Sequence, residues 1–217
     1  MSQAVLFDLD GTFADTAPDL AAALNHVRAL HDLPPLPVAT LRPQASHGSQ
    51  GLLKLGMNVT PDAPNYETLR NAFLQYYEEH ICDRTVLFPS MSTLVAELER
   101  HEIPWGIVTN KPHRYTVPLM EKLGYAQRAA CLVSGDTCAH AKPHPMPLLH
   151  AAELMSVAPE SCLYLGDDLR DMEAAQAAGM TGIIAAYGYI DPAADTGSWP
   201  ASGSVPTPLA LLRYIQS

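Results

Sequence analysis

Short apolar runs recur along most of the chain, and stretches with helical periodicity separate most of them. Each run is too short for a helix but long enough for a strand that is buried on both faces. The predicted strands are residues 4–7, 104–108, 131–133, 162–165 and 182–185. Strands that alternate with helices indicate a parallel, doubly wound sheet, so the predicted fold class is α/β with a Rossmann-like core.

The polar and apolar positions between these runs predict helices that would cover the two faces of the sheet. Residues 92–101 and 171–178 are the clearest examples, and Gly179 after the second is a natural helix stop. The tail, residues 191–208, is rich in Gly, Ser and Pro and predicts a loop. Residues 209–215 predict a short closing helix.

The strand pattern stops after the first run and is replaced by helical periodicity. The predicted helices of this region are residues 19–31, 48–55 and 66–80. Two segments that contain proline, 16–18 and 84–89, bracket the region and predict a hinge between two lobes. The predicted organisation is a core of residues 1–14 and 84–217 and a helical cap domain of residues 15–83.

Composition limits the class of protein. No apolar run approaches the roughly 18 residues that a membrane-spanning helix needs, so no membrane partner is expected. The four cysteines are widely spaced and form no CxxC pair, which is typical of reduced thiols in a cytoplasmic protein. The expected localisation is therefore cytoplasmic.

The net charge of -10 in 217 residues opposes binding to nucleic acid and to anionic membranes. The same charge would repel a phosphorylated substrate. A site for phosphate must therefore supply local positive charge from a metal ion, lysines or backbone N–H groups.

Two acids and a glycine end the first apolar run, in Asp8-Leu9-Asp10-Gly11-Thr12. Side chains two positions apart on a strand point in similar directions, so Asp8 and Asp10 should converge. Ionised carboxylates held close together repel unless a cation offsets their charge, and Mg²⁺ prefers oxygen ligands. A lone DxD is more often a turn, but the complete DxDGT string after a strand predicts a magnesium site.

Two further segments would bring donors to the same edge, because ligands of parallel sheets bind at the carboxyl ends of the strands. Thr109 and Asn110 follow the second predicted strand, and their hydroxyl and amide can donate to phosphate oxygens. Taken alone, such residues are usually loop or capping residues. Lys142 lies between an apolar strand and a helix beside prolines that restrict the backbone, which favours a phosphate-binding lysine over a solvated one.

Three more acids follow the run 162–165. Asp167 is the predicted metal ligand, and Asp171, one helical turn later, is predicted to support the ligand groups from behind. Asp168 is assigned the same supporting role. Acids at a helix start also act as caps, so one of Asp168 and Asp171 has a purely structural alternative.

These four segments, spread in this order from residue 8 to residue 171, resemble the haloacid dehalogenase superfamily. The resemblance implies a Rossmann-like core with a small α-helical cap of the C1 type after the first strand, which agrees with the insert predicted above. It also implies that Asp8 attacks phosphorus to give an aspartyl phosphate. Asp10 would protonate the leaving alcohol and then activate water, a role that argues against dehalogenase chemistry.

By the same resemblance, Asp8, the backbone carbonyl of Asp10 and Asp167 hold Mg²⁺. Lys142 and Thr109 neutralise or bind the transferred phosphoryl group. The implied protein is a magnesium-dependent phosphatase that acts on a small phosphorylated metabolite. The oligomeric state is left open between monomer and homodimer.

Three further segments resemble the phosphoglycolate phosphatase group and also the N-acetylmuramic acid 6-phosphate phosphatases: residues 15–19, 108–112 and 187–189. Substrate choice in this family lies mainly in the cap, where Arg42, Ser46 and His47 are the candidate specificity residues. Arg42 could pair with a substrate carboxylate, but both candidate substrates carry one. The alternative for these residues is an ordinary cap surface.

Two other functions stay open. A phosphomutase of the same superfamily would keep the same core residues and differ in how its cap excludes water. A regulatory protein could use this fold to bind a phosphorylated ligand without turnover, because a fold alone does not fix function.

Overall fold

The structure, a computed structural model, describes residues 3–215. The strands are β1 (Ala4–Phe7), β2 (Ala14–Asp15), β3 (Val86–Leu87), β4 (Trp105–Val108), β5 (Cys131–Val133), β6 (Cys162–Gly166), β7 (Thr181–Ala185) and β8 (Gly203–Val205). The α-helices are α1 (Ala17–Ala29), α2 (Val38–Leu41), α3 (Gly48–Met57), α4 (Tyr66–Glu79), α5 (Met91–Arg100), α6 (His113–Lys122), α7 (Met146–Met155) and α8 (Leu169–Ala177). The 3₁₀ helices are Arg42–His47, Pro159–Ser161, Thr196–Ser198 and Pro208–Tyr214.

Six strands form one parallel sheet in the order β5-β4-β1-β6-β7-β8. Alternate residues of β1 enter two different apolar clusters, with Val5 and Phe7 in one and Ala4 and Leu6 in the other. The strand is therefore buried on both faces, as parallel strands covered by helices are. This arrangement confirms the predicted α/β, Rossmann-like fold class.

Aromatic side chains anchor the loop that follows β1. The ring of Phe13 stacks on Trp105 with centroids 5.5 Å apart and meets the edge of Phe7 at 5.7 Å. All three side chains are buried. Because Phe13 closes the DxDGT segment, its burial fixes the path of the loop that carries the two acids.

The two connections between core and helices run side by side. Ala14 pairs with Leu87 and Asp15 with Val86 in an antiparallel ribbon of β2 and β3. Helices α1 to α4 lie between these strands in sequence and pack on one another; we call residues 17–79 the helical insert. The domain boundary predicted between residues 83 and 84 lies two residues before β3 and stays a prediction.

The predicted tail needs a correction. Residues 191–208 were expected to be a loop, but Gly203–Val205 within them is β8, which pairs with β7 at the edge of the sheet. The strand has three residues and only Val205 is fully buried, so its apolar pattern is too short to recognise. The closing helix is a 3₁₀ helix, Pro208–Tyr214, and not an α-helix.

Two other expectations can be compared with the structure. Within residues 3–215, no helix combines the length and the apolar character that crossing a bilayer requires. The four cysteines are unbridged thiols.

Asp19 connects the start of the helical insert to the chain segment just beyond its end, and we expect its removal to destabilise the protein. Its buried carboxylate accepts from the N–H groups of Arg84 and Thr85, at 3.0 and 2.9 Å, and from the Thr85 hydroxyl at 2.7 Å. Asp19→Ala would leave these donors without their acceptor, at a cost of about 2 kcal/mol. The melting temperature should fall by roughly 4–8 °C, measured by scanning calorimetry.

The control is Asp62→Ala, since the exposed Asp62 makes a local hydrogen bond to Thr60. An equal fall in both variants would contradict a connecting role for Asp19.

Candidate active site

The polar residues predicted from the sequence meet at the carboxyl ends of neighbouring strands. Asp8 follows β1, Thr109 follows β4 and Asp167 follows β6. A cavity of about 300 Å³ opens over this edge, with the core on one side and the helical insert on the other. Its volume lies at the lower end of the range for small-molecule sites, about 300–1,000 Å³.

Three buried carboxylates form a cluster at the edge of the cavity. Oxygen atoms of Asp8, Asp167 and Asp171 all lie within 4.8 Å of one another. Burial raises the pKa of Asp8 to about 7, Asp171 adds to the rise and Lys142 opposes it. Burial and repulsion by Asp8 and Asp171 raise the pKa of Asp167 well above its usual range. The cluster therefore holds more negative charge than its surroundings offset.

Lys142 supplies the positive charge that the sequence argument required. Its Nζ lies 2.8 Å from Asp8, 2.7 Å from Asp171 and 2.7 Å from the hydroxyl of Tyr164. The side chain is 3% exposed. Burial alone would lower the pKa of Lys142, but Asp171 and Asp8 outweigh burial and raise it. The ammonium group is therefore charged beside Asp8.

Asn110 holds the backbone of Lys142. Its side-chain Oδ1 accepts from the Lys142 N–H and its Nδ2 donates to the Lys142 carbonyl, both at 2.9 Å. Asn110 also lines the cavity, and its Nδ2 carries a second N–H, so the predicted role of this amide in phosphate binding stays a prediction. Thr109 is 3% exposed and lines the cavity. Its hydroxyl accepts from the Lys111 N–H at 3.1 Å, which leaves the hydroxyl proton for a phosphate oxygen.

Asp10 has a lysine partner that sequence reasoning missed. The Nζ of Lys111 lies 3.0 Å from Asp10 Oδ1, and the hydroxyl of Thr16 donates to the same oxygen at 2.5 Å. Burial opposes the charge on Lys111, but Asp10 raises the pKa of the lysine above its usual range. Lys111 directly follows Thr109 and Asn110, and this adjacency is the signal that could have found it.

Asp167 is positioned by contacts from residues 11–12 and from Tyr189. Its Oδ1 accepts from the Thr12 hydroxyl at 2.9 Å, and its Oδ2 accepts from the Tyr189 N–H at 2.8 Å. Gly11 lies so close that an added Cβ would clash with the Asp167 carboxylate, and its φ of +88° suits glycine. The glycine of the DxDGT string is therefore required twice, for the turn and for this approach.

The two remaining acids have different roles. Asp168 caps α8, where its Oδ1 accepts from the Arg170 N–H at 2.9 Å, and its Oδ2 pairs with the Arg170 guanidinium at 2.8 Å. The charge of Arg170 outweighs burial and lowers the pKa of Asp168. Asp171 completes the cap by accepting from the Asp168 N–H at 3.1 Å, but it also belongs to the acidic cluster. Asp168 therefore serves mainly as the cap of α8, whereas Asp171 also faces the other two carboxylates.

The helical insert touches the acidic edge through Ser46 and His47. The Ser46 hydroxyl lies 3.2 Å from Asp167 Oδ2 and 3.4 Å from the Asp10 carbonyl, and His47 lies 3.9 Å from Asp168. Both residues line the cavity. Arg42 instead pairs with Asp15 at 2.7 Å, and it is not among the described residues that line the cavity.

The sequence matches the family model described as haloacid dehalogenase-like hydrolase over residues 5–185. The chain belongs to the haloacid dehalogenase-like hydrolase family. It is 39% identical over 213 residues to N-acetylmuramic acid 6-phosphate phosphatase of Pseudomonas aeruginosa, covering 98% of this chain and 94% of that protein. It is 43% identical over 209 residues to phosphoglycolate phosphatase of Xanthomonas campestris pv. campestris, covering 96% and 94%.

A solved structure supports the fold. The crystal structure of a predicted phosphoglycolate phosphatase from Haemophilus somnus 129PT superposes with a TM-score of 0.86 and covers 99% of this chain and 98% of that one. The two sequences are 22% identical, so the likeness concerns the fold alone.

The donor set fits the magnesium ion that phosphatases of the haloacid dehalogenase-like family generally use. Clustered carboxylate oxygens are hard ligands of the kind Mg²⁺ takes. Burial, with added repulsion from neighbouring carboxylates, raises the pKa of Asp8 and Asp167, and a divalent cation would stabilise their ionised forms.

Tyr164 is expected to position Lys142 for activity. Its hydroxyl accepts from Lys142 and donates to the Val108 carbonyl at 2.8 Å. Tyr164→Phe removes both hydrogen bonds, and the loss of the one that positions Lys142, about 1 kcal/mol, should lower kcat about fivefold with little change in KM. Tyr125→Phe, a buried tyrosine outside the cavity lining, is the control. Equal kcat values for Tyr164→Phe and the unchanged protein would refute this role.

The raised pKa of Asp8 predicts a pH dependence of stability. Asp8 titrates near 3.8 in the unfolded chain and near 7 in the folded, metal-free protein. The folded state binds this proton more tightly than the unfolded state does. Protonation of Asp8 therefore stabilises the fold fully below about pH 3.8, and this stabilisation is lost as the pH rises through about 7. Added Mg²⁺ favours the ionised form. It should therefore raise the melting temperature more at about pH 8 than at about pH 5, relative to chelator.

The matched variant is Asp8→Asn, which cannot titrate and should flatten this difference. A magnesium-induced shift of the same size at both pH values in the unchanged protein would count against the prediction.

Proposed function

We propose that the protein is a magnesium-dependent phosphatase that hydrolyses a small phosphate monoester through an aspartyl phosphate on Asp8. The observation that carries the proposal is the buried contact between Lys142 and Asp8 at the edge of the acidic cluster. A phosphate dianion entering this cavity would meet a fixed positive charge and a carboxylate at the same point.

Asp8 is arranged as the nucleophile. Its Oδ1 accepts a hydrogen bond from Lys142, and within residues 3–215 no other side chain donates to this carboxylate. The second oxygen is therefore free to bond to phosphorus while the ester P–O bond breaks. Lys142 and the Thr109 hydroxyl would bind the oxygens of the transferred group.

Asp10 is arranged as the acid and base. Lys111 and Thr16 hold its carboxylate at the cavity wall, two residues from the nucleophile. Asp10 would give its proton to the leaving oxygen and then take one from the water that attacks the aspartyl phosphate. That second attack releases inorganic phosphate and restores Asp8.

When bound, Mg²⁺ would be held by Asp8, the backbone carbonyl of Asp10 and Asp167, and it would neutralise charge on the phosphoryl oxygens. Ser46 already contacts two of these groups, the Asp10 carbonyl and the Asp167 carboxylate. The helical insert therefore reaches the same oxygens that the ion would use.

The relatives suggest two substrates. Proteins similar to this chain are named for phosphoglycolate and for N-acetylmuramic acid 6-phosphate, and both compounds are phosphate monoesters that carry a carboxylate. We take a phosphoglycolate phosphatase-like activity as the main proposal and the sugar phosphate as its alternative. No observation favours a phosphomutase or a non-catalytic binding protein.

The first test measures inorganic phosphate released from 2-phosphoglycolate, N-acetylmuramic acid 6-phosphate and common sugar phosphates, with Mg²⁺ and with chelator. We expect magnesium-dependent release that Asp8→Asn abolishes. Asp10→Asn should lower kcat by about 10²- to 10⁴-fold, the usual contribution of general acid–base catalysis.

The control for these variants is Asp62→Asn, an exposed acid that should keep full activity. Release of phosphate by Asp8→Asn at the rate of the unchanged protein would refute the proposed nucleophile. Failure to release phosphate from every compound would refute the phosphatase function.

A further inference from the structure

The seam between α4 and α6 carries positive charge that no acid lining the cavity offsets. Each acid that lines the cavity has a lysine or arginine partner. The ion pairs are Asp8 and Asp171 with Lys142, Asp10 with Lys111, and Asp168 with Arg170. Two further lining cations, Arg70 on α4 and Arg114 on α6, have no acid of the cavity as partner.

These two arginines are available to a ligand. Within residues 3–215, Arg114 forms no ion pair, and it lies over the ring of Tyr115 at 4.6 Å. Arg70 lies 3.5 Å from Glu67, but the side chains are 39% and 72% exposed, and such surface pairs are weak. In a chain with a net charge of -10, one unpaired and one weakly paired arginine at a cavity indicate an anionic ligand group.

Two buried phenols lie beside the arginines. Tyr77 on α4 and Tyr115 on α6 pack edge to face with ring centroids 5.7 Å apart. Both residues are 2% exposed and line the cavity. Lys111 is a neighbour of the Tyr77 hydroxyl, whereas the Tyr115 hydroxyl has no hydrogen-bond partner within residues 3–215. Buried polar groups are nearly always paired, so the Tyr115 hydroxyl is a donor available to a ligand in this cavity.

A continuous series of contacts joins this region to the reacting groups. Lys111 contacts Asp10 and also lies over the Tyr77 ring at 4.6 Å. Tyr77 contacts Tyr115, and Tyr115 contacts Arg114. One wall of the cavity therefore runs from the proposed acid and base to the free guanidinium group.

The charge of Arg70 also affects the hydroxyl of Tyr115. The pKa of Tyr115 is raised by burial, and the charges of Arg114 and Arg70 oppose the rise. Glu78 adds to it from α4, but Glu78 is not among the described residues that line the cavity. The charge that faces a ligand at this wall is therefore positive.

We propose that Arg70, Arg114 and the Tyr115 hydroxyl form a subsite for a carboxylate on the substrate, away from the phosphate that reacts at Asp8. This inference rests on the proposed phosphatase function and names its substrate class: phosphate monoesters that carry a carboxylate. A guanidinium group binds a carboxylate through two parallel hydrogen bonds, and a phenol adds a further donor. Arg42, the residue predicted for this task from the sequence, is already paired with Asp15.

The test compares esters that differ in the carboxylate. One pair is 2-phosphoglycolate and 2-hydroxyethyl phosphate; the other is N-acetylmuramic acid 6-phosphate and N-acetylglucosamine 6-phosphate. Arg114→Gln and Tyr115→Phe should each lower kcat/KM for the preferred carboxylated ester by about 10- to 100-fold, the usual loss for a hydrogen bond to a charged group. For the matching ester without a carboxylate, the same variants should lower kcat/KM by a factor that is at least about tenfold smaller.

The matched control is Arg128→Gln. Arg128 lies over Tyr125 at 4.4 Å, as Arg114 lies over Tyr115, but neither Arg128 nor Tyr125 lines the cavity. This variant should keep the kcat/KM of the unchanged protein on every ester.

Binding separates this inference from the proposed function. Asp8→Asn and Asp8→Asn/Arg114→Gln are titrated with the same carboxylated ester in a calorimeter, with Mg²⁺ present. Binding that weakens about tenfold or more in the double variant supports the subsite even if the unchanged protein releases no phosphate.

Equal losses on the carboxylated and neutral esters would overturn the subsite and leave the phosphatase function standing. Equal kcat/KM values of the unchanged protein for the carboxylated and the neutral esters would also overturn it. If the unchanged protein preferred a sugar bisphosphate and Arg114→Gln removed that preference, the subsite would bind a second phosphate and not a carboxylate. That result would overturn the inference as stated.

Discussion

The buried ammonium group of Lys142 is the constraint on which the active-site region depends. It bridges Asp8 at the end of β1 and Asp171 on α8, and the side chain is 3% exposed. Removing one member of a buried ion pair leaves an uncompensated charge, which costs far more than a surface pair. Asn110 fixes the backbone of this lysine and Tyr164 fixes its head group. Two strand ends, a loop and a helix are therefore held in one arrangement.

The helical insert meets this arrangement in two places. Ser46 contacts the Asp10 carbonyl and Asp167, and Lys111 of the core lies against Tyr77 of α4. The ribbon of β2 and β3 and the buried Asp19 join the insert to the core at its base. A ligand in the cavity would therefore lie between the strand ends of the core and the helices of the insert.

Local sequence predicted the positions of residues that directly follow a strand. Asp8 and Asp167 come immediately after β1 and β6, because a short apolar run and a following turn fix both position and direction. Lys142 lies in the loop between β5 and α7, and its place also depends on the side chain of Asn110. Residues whose role depends on a distant partner were not predictable in this way. The amide of Asn110 is used by a backbone 32 residues away, and Lys111 pairs with an acid 101 residues away. Arg42 faces Asp15 because the 3₁₀ helix Arg42–His47 turns it toward the ribbon, and no periodic pattern marks that helix.

The walls of the cavity are divided between two kinds of element. Asp8 and Thr109 come from strand ends in the middle of the sheet, whereas Arg70, Tyr77 and Arg114 come from helices α4 and α6. Substitutions on those helices would alter the ligand surface without moving the strand ends. Such separation lets natural selection exchange one substrate for another in few steps while the reaction is inherited unchanged. Relatives of similar identity to this chain can accordingly bear two different substrate names.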